Sequence, residues 1–298
     1  MSAYVGLLAC VLVWGSNFVA SGWLDQQFTP LTVPALRLVF TGLFLLAAGL
    51  TLHQLRPVSK RQLLALAVIG VVGTLLNQVC FFQAVRYVSP TESALIMAAA
   101  PFATGIFARF LLHERLTTRM VVGAAITITG VYTLLSADGH RFHTSVGDLY
   151  AAGAMLTFSL NLVLIRKLSD DLSPYTVTAY GTWLGTGLFL PVSAIAVPHP
   201  VLAHTALAWL ILALSGILSQ GVAGLVWNRT MQIVGAAKSS ILLNLQPFVA
   251  MAVGYVVLGQ PITGGQLLGG TLIVFGVILA SANIRGRHFH FGLPSVPQ

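Results

Sequence analysis

The sequence predicts an all-α integral membrane protein of ten transmembrane helices, arranged as two inverted five-helix repeats around a central cavity. Three observations predict this fold: a scarcity of charge, ten apolar stretches of membrane-spanning length, and an internal repeat. Only 7% of the 298 residues are charged, while 56% are hydrophobic and the mean hydropathy is +0.88. Soluble domains carry about 25% charged residues. Most of the surface is therefore expected to face lipid.

Ten apolar stretches are long enough to cross a bilayer, which requires roughly 20 residues per helix. Short polar breaks separate them. The predicted spans cover residues 3–24, 31–52, 62–84, 90–113, 118–136, 146–166, 174–197, 206–227, 235–258 and 264–283. The first stretch lacks the basic region of a signal peptide, so we expect it to be a retained span. Residues 285–298 are expected to form a cytoplasmic tail.

The distribution of Lys and Arg predicts the orientation, because cytoplasmic loops of membrane proteins are enriched in both. With a cytoplasmic N-terminus, eleven of the 15 Lys and Arg residues fall in cytoplasmic segments and two on the opposite side. We therefore expect both termini to be cytoplasmic in an inner-membrane protein. The net charge of +8 would suggest nucleic acid in a soluble protein, but these charges are too few to form a basic patch, so no nucleic-acid partner is expected.

The internal repeat appears at two nearly equal offsets. An offset of 146 aligns the fourth and fifth spans with the ninth and tenth, and an offset of 144 aligns the starts of the halves. The matches include Pro101 with Pro247, Phe102 with Phe248, Asn17 with Asn161 and Pro30 with Pro174. Since each half holds an odd number of spans, the second half enters from the opposite side. We predict inverted repeats over residues 1–137 and 146–284, an architecture typical of transporters.

Several motifs together resemble the EamA domain of the drug/metabolite transporter superfamily. They are the segment 101–117 followed by Gly123 and Gly130, its second copy within 227–263, Trp14-Gly15-Ser16-Asn17, and Leu36-Arg37-Leu38. The resemblance implies ten helices around a central cavity, alternating access, and export of amino acids or similar small metabolites from bacterial cytoplasm. One position departs from the pattern: the second copy has Gln260 where Glu114 stands in the first.

Pro101 and Pro247 lie near the middle of the fourth and ninth predicted spans. Each removes a helix hydrogen bond and frees a carbonyl, at Met97 and Leu243 respectively. Such breaks are tolerated in membranes where protein or a cavity covers them. Because the prolines repeat at matching positions, we predict symmetry-related kinks that line the transport path and act as hinges; the alternative is a packing kink.

Amide side chains next to aromatic ones are predicted to line the solute cavity. Trp14 precedes Asn17 by three residues and Phe158 precedes Asn161 by three, so each pair shares a helix face. The remaining predicted cavity residues are Asn77, Phe81, Met97, Tyr180, Trp183, Gln220, Trp227 and Asn244. The alternatives are hydrogen bonding between helices for the amides and anchoring at the membrane interface for the aromatics.

Of the residues in the predicted spans, Arg37 has the highest free-energy cost of transfer into lipid. Intramembrane charges usually face a cavity or a partner. It could bind a substrate carboxylate in a bidentate manner. Alternatively, it pairs with Glu92, binds free carbonyls, or extends to the interface. No Asp, Glu or His falls near the middle of a predicted span. Because proton-coupled carriers normally need such a group, we predict facilitated transport.

These features favour a carrier that exports a small metabolite, with an aromatic or apolar amino acid as the predicted solute. The spans contain no set of residues that would form an enzyme site, and Cys10 and Cys80 lie in apolar stretches, so neither catalysis, a cofactor nor a metal is expected. The alternatives are a nucleotide-sugar or other organic-anion carrier, a drug/proton antiporter, or a channel. The expected partners are the solute and the bilayer. The expected oligomeric state is a monomer, with a dimer as the alternative.

Overall fold

The computed structural model describes residues 2–29, 31–87, 96–136, 145–259 and 262–281, and these residues form helices and connecting turns without strands. The helices before residue 145 are α1 (Ser2–Leu24), α2 (Thr32–Thr51), α3 (Lys60–Ile69), α4 (Asn77–Tyr87), α5 (Ala100–Leu111) and α6 (Thr118–Ser136). Those after it are α7 (Val146–Leu168), α8 (Pro174–Ala196), α9 (Ala206–Ser215), α10 (Ala223–Val234), α11 (Ala236–Leu242), α12 (Gln246–Leu258) and α13 (Gly264–Ser281). The predicted all-α class is confirmed.

Within the described residues, six helical stretches are long and apolar enough to cross a membrane. They are Ala3–Leu24, Thr32–Thr51, Lys60–Phe81, Val146–Leu168, Ala206–Val234 and Ala236–Val257, and Ala100–Leu111 and Gly264–Ala280 are shorter apolar helices. Large apolar side chains cover the outer surface: Phe110 is 75% exposed and Ile195 is 80% exposed. Surfaces this apolar mark contact with something other than water, and the chain is a multi-pass membrane protein.

Two π-helical segments interrupt α-helices at matching positions. The first, π1 (Gly70–Leu76), joins α3 to α4, and the second, π2 (Gly216–Val222), joins α9 to α10. Both are seven residues long, and they are separated by 146 positions, the offset that also relates Pro101 to Pro247. π-Helical turns are rare and frequently occur at functional sites. Neither segment was predicted from the residue pattern.

Glycines allow α6 and α13 to pack with their backbones in contact. A Cβ atom on Gly123 would lie 2.5 Å from the Gly276 carbonyl oxygen, and one on Gly130 would lie 2.8 Å from the Gly269 carbonyl oxygen. Gly269 and Gly276 lie 146 residues beyond Gly123 and Gly130. Exchanging the two halves of the chain therefore turns one contact into the other. These small residues therefore serve packing within one chain.

Pro101 and Pro247 both lie where regular α-helical hydrogen bonding is interrupted. Each is the second residue of its helix, α5 or α12. A backbone N–H at this position has no acceptor within the helix, so proline removes no helical hydrogen bond there. Residues 98–99 form a turn before α5, and a 3₁₀ turn, Leu243–Leu245, precedes α12. An interruption of α-helical bonding therefore precedes both prolines, and around Pro247 the chain stays one helical stretch, Ala236–Val257.

Side chains from other helices bind carbonyls at the first of these breaks. The Asn244 amide nitrogen donates to the Ala98 carbonyl at 3.2 Å, and the Ser159 hydroxyl donates to the Ala100 carbonyl at 3.1 Å. Both contacts are buried, so protein replaces the hydrogen bonds that lipid could not supply. Ala98 and Asn244 are themselves 146 residues apart, so this hydrogen bond joins matching positions of the two halves.

Glu114 caps α11 from the loop that follows α5. Its two carboxylate oxygens accept hydrogen bonds from the backbone amides of Ala236 at 3.0 Å and Ala237 at 3.2 Å. Gly235, just before the helix, has a φ of +93°, a conformation that favours glycine. The carboxylate therefore satisfies two amides that would lack helical partners and ties the first half of the chain to the second.

Replacing Glu114 with alanine is expected to lower the free energy of unfolding by about 1–3 kcal/mol, because two amides lose a charged hydrogen-bond acceptor. Thermal unfolding of the purified protein in detergent would measure the loss. Asp171→Ala is a suitable control, because Asp171 is an exposed acid in the turn after α7; its effect is expected to stay within about 0.5 kcal/mol. Equal unfolding temperatures for the two variants would contradict the capping role.

Candidate functional site

A buried polar region forms where α1, α2 and π2 meet, and Arg37 of α2 lies at its centre. Arg37 is only 9% exposed. Its Nη1 donates to the Ser21 hydroxyl at 3.0 Å and its Nη2 donates to the Ser219 hydroxyl at 2.8 Å. The guanidinium Nε is buried without a hydrogen-bond partner. The cation is therefore held from both sides by neutral hydroxyls and keeps one donor unused.

Asn17 extends this region along α1. Its Nδ2 lies 3.5 Å from the Ser21 hydroxyl, while its Oδ1 is buried without a hydrogen-bond partner. On the α2 side, the Thr41 hydroxyl lies 2.9 Å from the Gly216 carbonyl oxygen and 3.4 Å from Gln220 Oε1. An unused acceptor and an unused donor, at Asn17 and Arg37, thus flank the same serine.

A groove of about 470 Å³ opens beside this polar region, between α1 and the α9–π2 stretch. Its floor contains the polar side chains of Ser16, Asn17, Ser215 and Ser219. Its rim is apolar and exposed: Leu12 is 57% exposed and the rim also contains Val13, Leu214 and Leu218. The volume lies within the range of small-molecule sites, roughly 300–1,000 Å³.

Two tryptophans pack behind the groove. The Trp14 indole N–H donates to the Ser219 carbonyl oxygen at 2.6 Å, and the Trp14 and Trp227 rings have centroids 4.9 Å apart with an interplanar angle of 51°. Trp227 is 2% exposed, and its indole nitrogen has no hydrogen-bond partner. Trp14 therefore fixes the backbone of π2 next to Arg37, and Trp227 fills the space between α1 and α10.

Arg37 has no acidic partner at close range within the described segments, where no carboxylate comes within ion-pair distance of it. Glu92, an expected partner, lies outside the described residues. Asp25, in the turn after α1, interacts with Arg37 electrostatically. Burial raises the pKa of the Asp25 carboxyl, and the positive charge of Arg37 opposes that shift. Among the described residues, the buried charge thus has no counter-ion in contact with it.

The matching region of the other half is less polar. Asn161 again has a buried Oδ1 without a partner, and its amide packs directly on Gly73 of π1. By the repeat offsets, Gly73 matches Ser219 and Gly181 matches Arg37. The two asparagines therefore correspond, but the cation and its serine ligand Ser219 have no counterparts at the matching positions Gly181 and Gly73.

The other predicted cavity residues lie in separate places. Asn77 donates to the Ala154 carbonyl at 2.8 Å and to the Thr157 hydroxyl at 3.2 Å. The Tyr180 hydroxyl donates to the Arg56 carbonyl at 3.0 Å, and the Trp183 indole to the Gly42 carbonyl at 2.9 Å. Asn77 thus joins α4 to α7, Trp183 joins α8 to α2, and Tyr180 joins α8 to the segment between α2 and α3.

Of the predicted residues, Trp14, Asn17, Arg37, Gln220 and Trp227 come together around π2, and Asn17 lines the groove. Asn244 binds the backbone at the break before α5, where Met97 lies half-buried. Phe158 packs against the main hydrophobic cluster, and Phe81 is 37% exposed. Sequence reasoning missed Ser21, Ser215 and Ser219. Their spacing was a usable signal, because Ser21 follows Asn17 by four residues and Ser219 follows Ser215 by four, which places each pair on one helix face.

The apolar helices and the buried polar region define a multi-pass membrane transporter. The chain belongs to the EamA-like transporter family, whose profile matches residues 1–136 and again residues 145–282. The expected membership is therefore confirmed.

Curated relatives cover almost the whole chain. The uncharacterized transporter YyaM of Bacillus subtilis is 27% identical over 96% of this chain and 95% of its own length. A probable terminal-alkyne amino-acid exporter of Streptantibioticus cattleyicolor is 28% identical over 97% and 96%. A probable amino-acid metabolite efflux pump of Salmonella typhimurium is 27% identical over 96% and 98%. A crystal structure with 23% identity superposes with a TM-score of 0.79, covering 94% of this chain and 98% of that one, which supports the overall fold.

Proposed function

We propose that this protein exports an amino acid with an aromatic or apolar side chain across the inner membrane by facilitated alternating access. The observation that carries the proposal is the pair of buried asparagines, Asn17 and Asn161, whose Oδ1 atoms both lack partners at matching positions. Buried polar atoms without a hydrogen bond are rare in folded proteins. A solute that binds between the two halves would supply the missing donors.

The proposed mechanism requires two inverted repeats, residues 1–137 and 146–284, around a central cavity, with ten spans in total and both termini in the cytoplasm. Helix contacts support this arrangement because they recur when the halves are exchanged. Helix α1 packs on α10 and α12, while α7 packs on α4 and α5, and π1 packs on α8 as π2 packs on α2. Opposed bundles of this kind alternate access by rocking around a fixed site.

The printed names of two relatives support the solute class, since they describe an amino-acid exporter and an amino-acid metabolite efflux pump. Facilitated transport is proposed because the middle of the spans contains no Asp, Glu or His that could carry a proton. Carriage of nucleotide sugars is disfavoured, since Arg37 alone would have to neutralise several negative charges.

Transport into proteoliposomes tests the proposal. We expect saturable exchange of radiolabelled leucine or phenylalanine that an imposed pH gradient does not drive to accumulation. Strong gradient-driven accumulation would contradict facilitated transport, and flux that never saturates would indicate a channel. Asn17→Ala and Asn161→Ala are each expected to reduce exchange roughly tenfold, since a buried hydrogen bond to a charged group contributes about 1.5–3 kcal/mol. Full activity in both variants would contradict the placement of the cavity.

A further inference from the structure

We propose that the groove between α1 and the α9–π2 stretch is an amino-acid site that opens towards the bilayer, binding the zwitterionic head at Asn17 and Arg37 and the apolar side chain between the walls. This inference rests on the proposed function and specifies both the solute and its position. The opening is indicated by the rim, because Leu12, Leu214 and Leu218 are each more than 40% exposed. Apolar side chains this exposed in a membrane protein face lipid.

The head of an amino acid matches unused polar atoms of Asn17, which lines the groove, and of Arg37, which lies behind the groove-lining Ser219. A carboxylate needs a strong donor, and Arg37 offers a buried Nε without a partner and no acidic neighbour in contact among the described residues. An ammonium needs an acceptor, and the Asn17 Oδ1 is a buried acceptor to which no group donates. The Ser21 hydroxyl lies within hydrogen-bond distance of both side chains. The two charges of an amino acid are held apart by a single carbon, so a donor and an acceptor beside one serine suit them.

Ser219 connects the groove to the cation. It lines the groove, and its hydroxyl accepts the hydrogen bond from Arg37 Nη2 at 2.8 Å. The same hydroxyl also bonds to the Ser215 carbonyl, one turn earlier in the helix. A carboxylate that enters the groove therefore reaches the guanidinium by displacing one neutral hydroxyl. A charged acceptor makes the stronger hydrogen bond to arginine, so this exchange favours binding.

The apolar walls of the groove explain why the bound amino acid should have an apolar side chain. Leu12 and Val13 on α1 face Leu214 and Leu218 on the α9–π2 stretch, and the polar groups are confined to the floor. The corresponding region near Asn161 lacks a cation, because Gly181 and Gly73 replace Arg37 and Ser219. We therefore infer one amino-acid site per chain, at the contact between the halves where Arg37 and Ser219 meet.

Binding measurements on the purified full-length protein in nanodiscs test the solute. The probes are L-leucine, L-leucine methyl ester, which lacks the carboxylate, and 4-methylpentanoate, which lacks the ammonium. We expect leucine to bind and each analogue to bind at least about tenfold more weakly, since each loses a charged hydrogen bond. Decanoate tests for a fatty-acid site. Binding of decanoate or 4-methylpentanoate as tight as that of leucine would overturn the proposal.

Variants test the position of the site. Arg37→Gln is expected to weaken leucine binding at least about tenfold, with Arg109→Gln as a control, because Arg109 is exposed at the end of α5. Leu214→Trp would fill the groove without touching the polar floor, so it keeps the test valid if Arg37→Gln fails to fold. Its control is Leu43→Trp, at a position on α2 that is 57% exposed and outside the groove.

The outcomes separate the site from the proposed function. Leucine binding that is lost in Leu214→Trp and kept in Leu43→Trp supports the groove. Leucine transport with unchanged affinity in Leu214→Trp would overturn the groove and leave amino-acid export standing. Failure of the protein to bind or transport any amino acid would overturn both.

Discussion

Replacing Gly276 with valine is expected to destabilise the protein by more than about 3 kcal/mol, beyond the usual 1–3 kcal/mol for an overpacked core. A Cβ atom there would lie 2.6 Å from the Gly123 carbonyl oxygen and 2.8 Å from the Thr127 amide nitrogen, and would also collide with the Thr127 hydroxyl. Thr127 cannot turn aside freely, because its hydroxyl donates to the Gly123 carbonyl at 2.7 Å. Relief therefore requires α6 and α13 to separate.

The unfolding temperature in detergent, followed by tryptophan fluorescence, measures this effect. Gly187→Val is the matched control, because Gly187 lies within α8 and a Cβ atom there would meet nothing within 4 Å. Its unfolding temperature is expected to stay near that of the wild type. A similar loss in both variants would mean that valine in a helix, and not the contact between α6 and α13, causes the change.

Replacing Trp227 with alanine is expected to reduce stability by about 3–5 kcal/mol, the cost of removing a large aromatic side chain from a packed interior. Trp227 is 2% exposed and packs on Trp14, with 4.9 Å between ring centroids. The resulting cavity would lie between α1 and α10, next to the segment that holds Ser219. Thermal and denaturant unfolding would measure the loss.

Phenylalanine substitutions separate packing from hydrogen bonding at the two stacked rings. The Trp227 indole nitrogen has no partner, whereas the Trp14 indole donates to the Ser219 carbonyl at 2.6 Å. Trp14→Phe is therefore expected to cost about 0.5–1.5 kcal/mol more than Trp227→Phe. If Trp227→Phe were the more damaging of the two, the proposed division between the rings would be wrong.

The lipid environment made much of the fold predictable. Lipid requires long apolar helices whose backbone groups bond internally, so the all-helical class and the interruptions near Pro101 and Pro247 could be deduced from residue order. The side chains that bind the backbone at the first interruption could not, because they come from distant parts of the chain. Asn244 and Ser159 reach the Ala98 and Ala100 carbonyls from other helices.

The residues of the candidate site that are rare in membrane helices could be predicted from the sequence, whereas those that are common there could not. Arg37 and Asn17 are conspicuous within apolar stretches, and the structure places them beside the same serine. Ser21 and Ser219 were missed because serine is ordinary in membrane helices, where it often bonds to its own backbone. The π segments were missed because no residue type signals an added residue per turn.

The π segments make the spacing of residues within two membrane helices a determinant of side-chain direction. π-Helical hydrogen bonds join residues five apart instead of four, so deleting one residue from Gly216–Val222 would favour ordinary α-helical bonding there. The side chains inside the segment would then change direction, among them Ser219, which binds Arg37. The same holds for Gly70–Leu76, which contains the glycine, Gly73, that packs on Asn161.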